Sequence, residues 1–420
     1  MHKKIVFLFT LFLLSAQCFA SGFSIYEQSS RATGMAGAFI AQTGDASSIF
    51  YNPAAITQLK GLHFTLGSTV IQTKFAFTGP ENIDDKKYTP AKEGLFTPAH
   101  FYGSYALNQK FVIGLGIYSP FGLSSTWGDD QHPWVGQQLA TYTNLQTLFF
   151  NPVVAYQPLS WLSVAAGFQL VRADVQMDKS VYFLPRNVLG KSSLTGQAMS
   201  YGWNFGIQFR PIDRITLGLT YRSNVGLEFN DGKAVFTFPD TGDETINREI
   251  SAYFPAQTKS SAKLTLPASI GAGINFRFTE NLSFELDYLW TQWSVFDTLS
   301  VKFSDPVAGK TEAKYPRNYQ NSYAWRFGLE YRVMPGLFVR TGYAYDYHAV
   351  PQAYVEPSLP EGNRHNYSLG AGYTWKNLTI DGAIYILLQD DRKVENSVFN
   401  FNGEYSGLAN LYSLSLSYAL

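Results

Sequence analysis

Cysteine is nearly absent from this sequence: Cys18 is the only one in 420 residues, so no intramolecular disulfide framework can form. Charge is scarce as well. Lys, Arg, Asp and Glu make up 15% of the chain, against about 25% in an ordinary soluble domain. The balance of 32 basic and 32 acidic residues leaves no basic excess of the kind that holds nucleic acid. After the first twenty residues no apolar run reaches the length of a membrane-spanning helix. Nothing has zinc-ligand spacing, and no metal or cofactor is expected.

What the chain does have is aromatic residues, 16% of the total, and a leader. Lys3 and Lys4 precede the apolar stretch 5–14, and Cys18-Phe19-Ala20 offers small-residue cleavage geometry. Residues 1–20 therefore read as a signal peptide. Cys18 raises a lipoprotein alternative, for which Gln17 is an unfavourable preceding residue. Cleavage after Ala20 removes Lys3 and Lys4, leaving 30 basic against 32 acidic residues, a net charge of −2. A secreted, aromatic-rich, charge-poor chain without apolar helices points to a transmembrane β-barrel.

Fourteen strands can be read, over 63–77, 95–107, 111–119, 142–156, 162–179, 199–210, 215–229, 263–278, 282–303, 322–333, 337–349, 366–375, 378–388 and 409–419. Alternation is clearest late. Tyr367, Leu369, Ala371, Tyr373 and Trp375 alternate with Ser368, Gly370, Gly372 and Thr374. Leu414, Leu416 and Tyr418 alternate with Ser413, Ser415 and Ser417. A soluble sandwich would carry Lys and Glu on the polar face; Ser, Gly and Thr there suit a barrel interior, with the apolar face toward lipid. Even-numbered strands are followed by tight links such as Asn108-Gln109, Glu280-Asn281 and Lys376-Asn377. Odd-numbered strands are followed by long ones: 78–94, 120–141, 180–198, 230–262, 304–321, 350–365 and 389–408. Short turns on one side and long loops on the other mark an outer-membrane barrel with both termini periplasmic. Tyr288, Trp290 and Trp293 are expected in the interfacial girdle.

The stretch 34–55 does not share this pattern. It is rich in small residues, has no strand period and ends in the turn Asn52-Pro53-Ala54. A fourteen-strand barrel lies between small filled barrels and open porins, so its lumen needs a filler. Residues 21–60 can supply a luminal plug ahead of a barrel over 61–420.

Gly22-Phe23, Gly34-Met35-Ala36-Gly37-Ala38, Asp45-Ala46-Ser47 and Asn52-Pro53-Ala54 resemble the N-terminal hatch of the FadL/TodX family, outer-membrane transporters of long-chain fatty acids and other hydrophobic compounds. The resemblance continues through Thr220-Tyr221-Arg222-Ser223, Leu266-Pro267, Trp290-Thr291-Gln292-Trp293-Ser294 and Arg340-Thr341-Gly342-Tyr343-Ala344. It implies a 14-stranded antiparallel transmembrane β-barrel with an N-terminal luminal hatch, in which Gly34, Gly37, Asp45, Asn52, Pro53 and Ala54 belong to the gating element. It also implies a route: an outer-loop groove, an inner pocket, a hatch rearrangement, then lateral exit through the wall.

Several residues acquire roles on that reading. The second long loop carries Phe121, Leu123, Trp127, Trp134, Val135 and Leu139, an apolar set fit for a ligand groove or for packing against other loops. The third strand ends at Pro120 and Gly122, in an ordinary strand end or a bend, and this segment matches the family's inward kink and lateral opening. Phe23 corresponds to a phenylalanine bordering the family's inner pocket. A carboxylate in an apolar tunnel needs a cation. Lys179 aligns with a luminal basic residue of the fatty-acid transporters; the second such position falls at Gln320, with Arg317 nearby. That departure keeps neutral hydrocarbons or aromatics open as cargo. A general porin and a rim hydrolase built from His348, His365, Asp346 and Ser368 are the remaining alternatives. The expected partners are a hydrophobic small molecule, outer-membrane lipid and lipopolysaccharide, and the barrel assembly machinery reading the end Tyr418-Ala419-Leu420. The protein is expected to act as a monomer.

Overall fold

A computed structural model of the chain describes residues 22–80, 87–129 and 131–420. The leader, its cleavage site and Cys18 lie outside them. The strands close a ring of fourteen antiparallel wall strands, several of them broken into two pieces. These are β1 (Leu62–Gly79), β2 (Gly94–Phe96, Ala99–Ala106), β3 (Phe111–Tyr118, Gly122–Thr126), β4 (Tyr142–Leu159), β5 (Leu162–Phe183), β6 (Val188–Ile212) and β7 (Ile215–Arg222, Val225–Thr237). The second half holds β8 (Gln257–Leu266, Ser269–Arg277), β9 (Leu282–Thr291, Thr298–Val307), β10 (Lys310–Pro316, Ser322–Met334), β11 (Leu337–Asp346), β12 (Arg364–Trp375), β13 (Leu378–Val394) and β14 (Gly403–Ala419). β14 pairs with β1 from His63↔Ala419 to Thr78↔Glu404, so the sheet has no open edge. A further short strand, Lys87–Pro90, pairs with the outer end of β1.

The alternation read from the sequence is the alternation of the wall. Leu369 is 67% exposed and Leu414 59%, both outward, while Ser368, Ser413 and Ser415 are buried inside. Where the sequence left loops, the structure often continues the strands. β5 and β6 run to Phe183 and Val188, pairing Tyr182 with Leu189, through what reads as the loop 180–198. Likewise Thr298–Val307 and Lys310–Pro316 form a hairpin across much of 304–321. These extensions lie beyond the apolar band, where water wets the outward face and no hydrophobic alternation is required. The connection after β7 also contains a helix, Glu244–Tyr253, capped by Asp243, whose carboxylate accepts from Thr245 N and Ile246 N at 2.8 and 3.2 Å.

The segment from Gly22 to Gly61 folds inside the ring. It contains two single-turn helices, Ser30–Thr33 and Ser48–Tyr51, and a 3-10 turn, Pro53–Gln58. Its hydrogen bonds reach wall strands on all sides, from β1 and β6 to β9, β10 and β14.

Candidate functional site

Small residues let the luminal segment approach the wall. Gly34 packs on Gly370 of β12, and a β-carbon on Gly34 would lie 3.0 Å from its Cα. Gly37 takes φ +80°, a left-handed conformation that costs glycine little. Asn52 is the tightest junction. Its Nδ2 donates to Ile40 O at 2.9 Å and to Ile207 O of β6 at 3.0 Å, while its Oδ1 accepts from Ala54 N at 3.1 Å and starts the Pro53 turn. A β-carbon at Gly206 would collide with that Oδ1. Asp45 accepts from Ser47 N at 2.8 Å and is buried.

Charges then hold the segment electrostatically. On β9, Asp287 accepts from Phe39 N and Ile40 N at 2.7 and 3.0 Å, and Glu285 from Ala41 N and Gln42 N at 2.6 and 3.2 Å. Arg31 pairs with Glu330 (2.8 Å), Glu330 with Arg340 (2.6 Å) and Arg340 with Asp381 (2.7 Å). Arg326 pairs with Asp346 at 3.0 Å, donates to Ala36 O at 2.9 Å and lies over the Tyr26 ring. Removing one member of such a set strands its partner as an uncompensated buried charge. Of these charged residues the sequence singles out only Arg340, in a stretch resembling the family, and Asp346, in the hydrolase alternative. The available signal was charge at inward positions, with Glu285 and Asp287 alternating against Leu286 and Tyr288.

At Pro120–Gly122 the third strand turns inward onto the start of the luminal segment. Ser24 and Phe121 form an antiparallel bridge, Ile25 N donates to Pro120 O at 2.8 Å, and Gly122 N donates to Phe23 O at 3.1 Å. Thr147 of β4 satisfies Phe121 on the other side, donating to its carbonyl at 2.7 Å. The ladder between β2 and β3 therefore stops at Phe101↔Ile117. Farther out, Lys92 N, just ahead of β2, donates to Thr126 O of β3 at 2.8 Å. Between those points no ladder pairs β2 with β3 among the described residues.

A cavity of about 750 Å³ occupies this gap. Its inner lining includes Phe23, Ile25, Phe121, Leu123 and Leu145, and its outer lining Leu95, Phe96, Pro98, Gly122 and Ser124. A second, smaller space of about 110 Å³ is almost wholly apolar, bounded by Met177, Leu194, Phe229, Leu264, Phe296 and Leu299 among others. Phe23, Leu123, Leu145 and Leu359 border both spaces. Phe23 is 5% exposed and packs edge-on against Trp293, ring centres 4.6 Å apart.

The remaining expected residues are placed as follows. Trp127 and Trp134 stack on each other at 4.8 Å and are buried among loops; their indoles donate to Pro357 O and Ala140 O. Val135 is exposed and Leu139 half-buried. Arg317 reaches the smaller space but is buried in an ion pair with Glu356, which also accepts from Ser358. Lys179 lines neither space; its ammonium lies 4.8 Å from the centre of the Tyr315 ring. Trp293 is a correction. It lies on a turn inside the break of β9, Trp293–Val295, fully buried against Phe23 and not in an outer girdle, whereas Tyr288 stays on the outward face beside Trp325. His348 bonds Asn363, and Asp346 bonds Arg326 and Asn366.

A closed strand ring, an apolar outside, a filled lumen, an apolar pocket and a larger cavity of mixed lining that reaches a gap in the wall fit an outer-membrane carrier of hydrophobic compounds. The chain belongs to the outer membrane protein transport protein family (OMPP1/FadL/TodX), whose model matches residues 11–420. It is 27% identical over 425 residues to a 47 kDa outer membrane protein of Pasteurella multocida, covering 97% of this chain and 96% of that one. It is 25% identical over 435 residues to the long-chain fatty acid transport protein of Salmonella typhi, covering 97% and 96%. Its fold is similar to that of a Pseudomonas aeruginosa FadL homologue, with a TM-score of 0.81 at 22% identity over 95% of this chain and 100% of that one. The P. putida toluene transporter TodX gives 0.73 at 17% identity, over 96% and 99%. The protein resides in the outer membrane, in a family of transport channels and not of enzymes.

Proposed function

We propose that the protein takes up long-chain fatty acids or similar hydrophobic molecules passively. In this reading cargo lands among the outer loops near Val135 and Leu139, enters the smaller apolar space and passes Phe23. It then crosses the larger cavity and leaves sideways between β2 and β3. Residues 21–60 act as a hatch, and the bridge between Ser24 and Phe121 couples its first residues to the kink. The observation that carries the reading is the larger cavity, which extends from Phe23 to a stretch of wall lacking ladder bonds. An apolar solute gains by avoiding water at every step, so no energy source is needed.

The test is to close the gap. A β-carbon on Gly122 already lies 2.8 Å from Ile25 Cδ1, so Gly122→Val should slow oleate entry into vesicles about tenfold while leaving oleate binding within twofold. Unchanged uptake would remove lateral exit.

One observation favours neutral cargo as the second reading: Arg317 is already neutralised by Glu356. If Lys179→Ala leaves oleate binding unchanged and toluene competes fully, the neutral reading replaces the first.

A further inference from the structure

We propose that Arg172, with Asp174 beside it, forms a headgroup station on the outer surface of the barrel for the carboxylate of a departing amphiphile. This rests on the lateral-exit reading above. The larger cavity is bounded not only by the luminal Leu145 and Thr147 but also by Leu148, Arg172 and Asp174, which occupy the opposite, outward parity of β4 and β5. The inward kink at Pro120–Gly122 leaves this outer face open to the gap.

The register places a boundary there. Leu148 stands opposite Arg172 and Gln146 opposite Asp174, while the next outward pair toward the periplasm is Phe150 opposite Leu170, both exposed and apolar. Toward the outer loops the polar face continues with Asn144 opposite Gln176. At the mouth, polar and apolar surfaces therefore adjoin within two residues, about 7 Å along a strand. An amphiphile emerging there can set its tail against Leu148 and Phe150 and its head against Arg172. The Arg172 guanidinium now donates to Asp174 through Nε at 3.1 Å and Nη2 at 3.3 Å, both side chains about half-exposed. A pair so exposed is weak and exchanges readily, and a guanidinium offers a second carboxylate the same two-pronged geometry. Arg326 and Arg317, by contrast, are buried on Asp346 and Glu356.

The experiment measures entry of oleate and of oleyl alcohol through the full-length protein in phosphatidylcholine vesicles free of lipopolysaccharide. Arg172→Gln should slow oleate roughly threefold, the scale of one exposed charge contact, and leave oleyl alcohol unchanged; Asp174→Asn should not slow oleate. Equal rates for the variant and the native protein with both probes, or equal slowing of both, would overturn the station alone. An oleate effect seen only after lipopolysaccharide is added would assign Arg172 to lipid phosphate and overturn it too. A native protein that admits neither probe would overturn the transport reading itself, and the station with it.

Discussion

Phe23 and Asn52 show how single side chains partition the lumen. Phe23 separates two spaces while packed on Trp293. Phe23→Ala should join them, costing about 3 kcal/mol of packing and weakening oleate binding about tenfold by fluorescence displacement, while Phe23→Leu should keep most of the affinity. Asn52 is asymmetric in its bonds: its amide donates to Ile40 O and Ile207 O, whereas its oxygen serves only the local turn. Asn52→Asp keeps the turn and loses both donors, leaving the buried Ile40 O unpaired and setting a carboxylate oxygen against it and Ile207 O, at roughly 1–3 kcal/mol. Ion conductance in planar bilayers should then rise in Asn52→Asp nearly as far as in Asn52→Ala. If Asp behaves like the native residue, Asn52 is only a turn former. The turn was legible in the sequence because Asn-Pro has a local signature. The wall contact was not, because Ile207 lies 155 positions away.

At the scale of elements, the third strand carries the inward kink, and the connection between β11 and β12 meets the luminal segment at Gly22. In that connection Glu361 accepts from Ala349 N and Val350 N at 2.9 and 3.0 Å and also from Gly22 N. His348, at its base, is lowered by burial to about 4 from the usual 6.5, with Arg392 adding repulsion. A histidine with a depressed folded pKa contributes stability above 6.5 that is lost as pH falls toward 4. Burial raises Glu361 above the usual carboxylate range, which works in the opposite sense on acidification. The comparison is therefore made against a single variant. Amide protection factors over 349–363, taken relative to the intrinsic exchange rate at each pH, should fall between pH 6.5 and 4 in the native protein, and that acid step should be absent from His348→Gln. Strand positions were legible here because half of each strand meets lipid and must alternate. The outer hairpins were not, since neither of their faces meets lipid.

For the molecule as a whole, the lumen is filled by a segment held through buried ion pairs and amide–carboxylate bonds, so the intact protein should pass little ion current. Deleting residues 22–58 should open a steady conductance without loss of the β-type circular dichroism, because the ring closes through β1 and β14 alone. A large current through the intact protein would contradict the hatch. The sequence by itself determined the ring. Strand count, alternation and the short-long rhythm of connections are local properties, each imposed by bilayer thickness or by the need to pair every backbone group in lipid. It also marked Pro120, Gly122 and the Asn52 turn, because proline and glycine act on their own backbone. Only the tertiary structure decided what these do. That Arg317 is spent on Glu356, that Trp127 and Trp134 pack on each other, and that Glu285 and Asp287 grip the luminal segment depends on contacts between distant strands. Such contacts arise when a sheet closes around the segment that precedes it, and no window of sequence contains them.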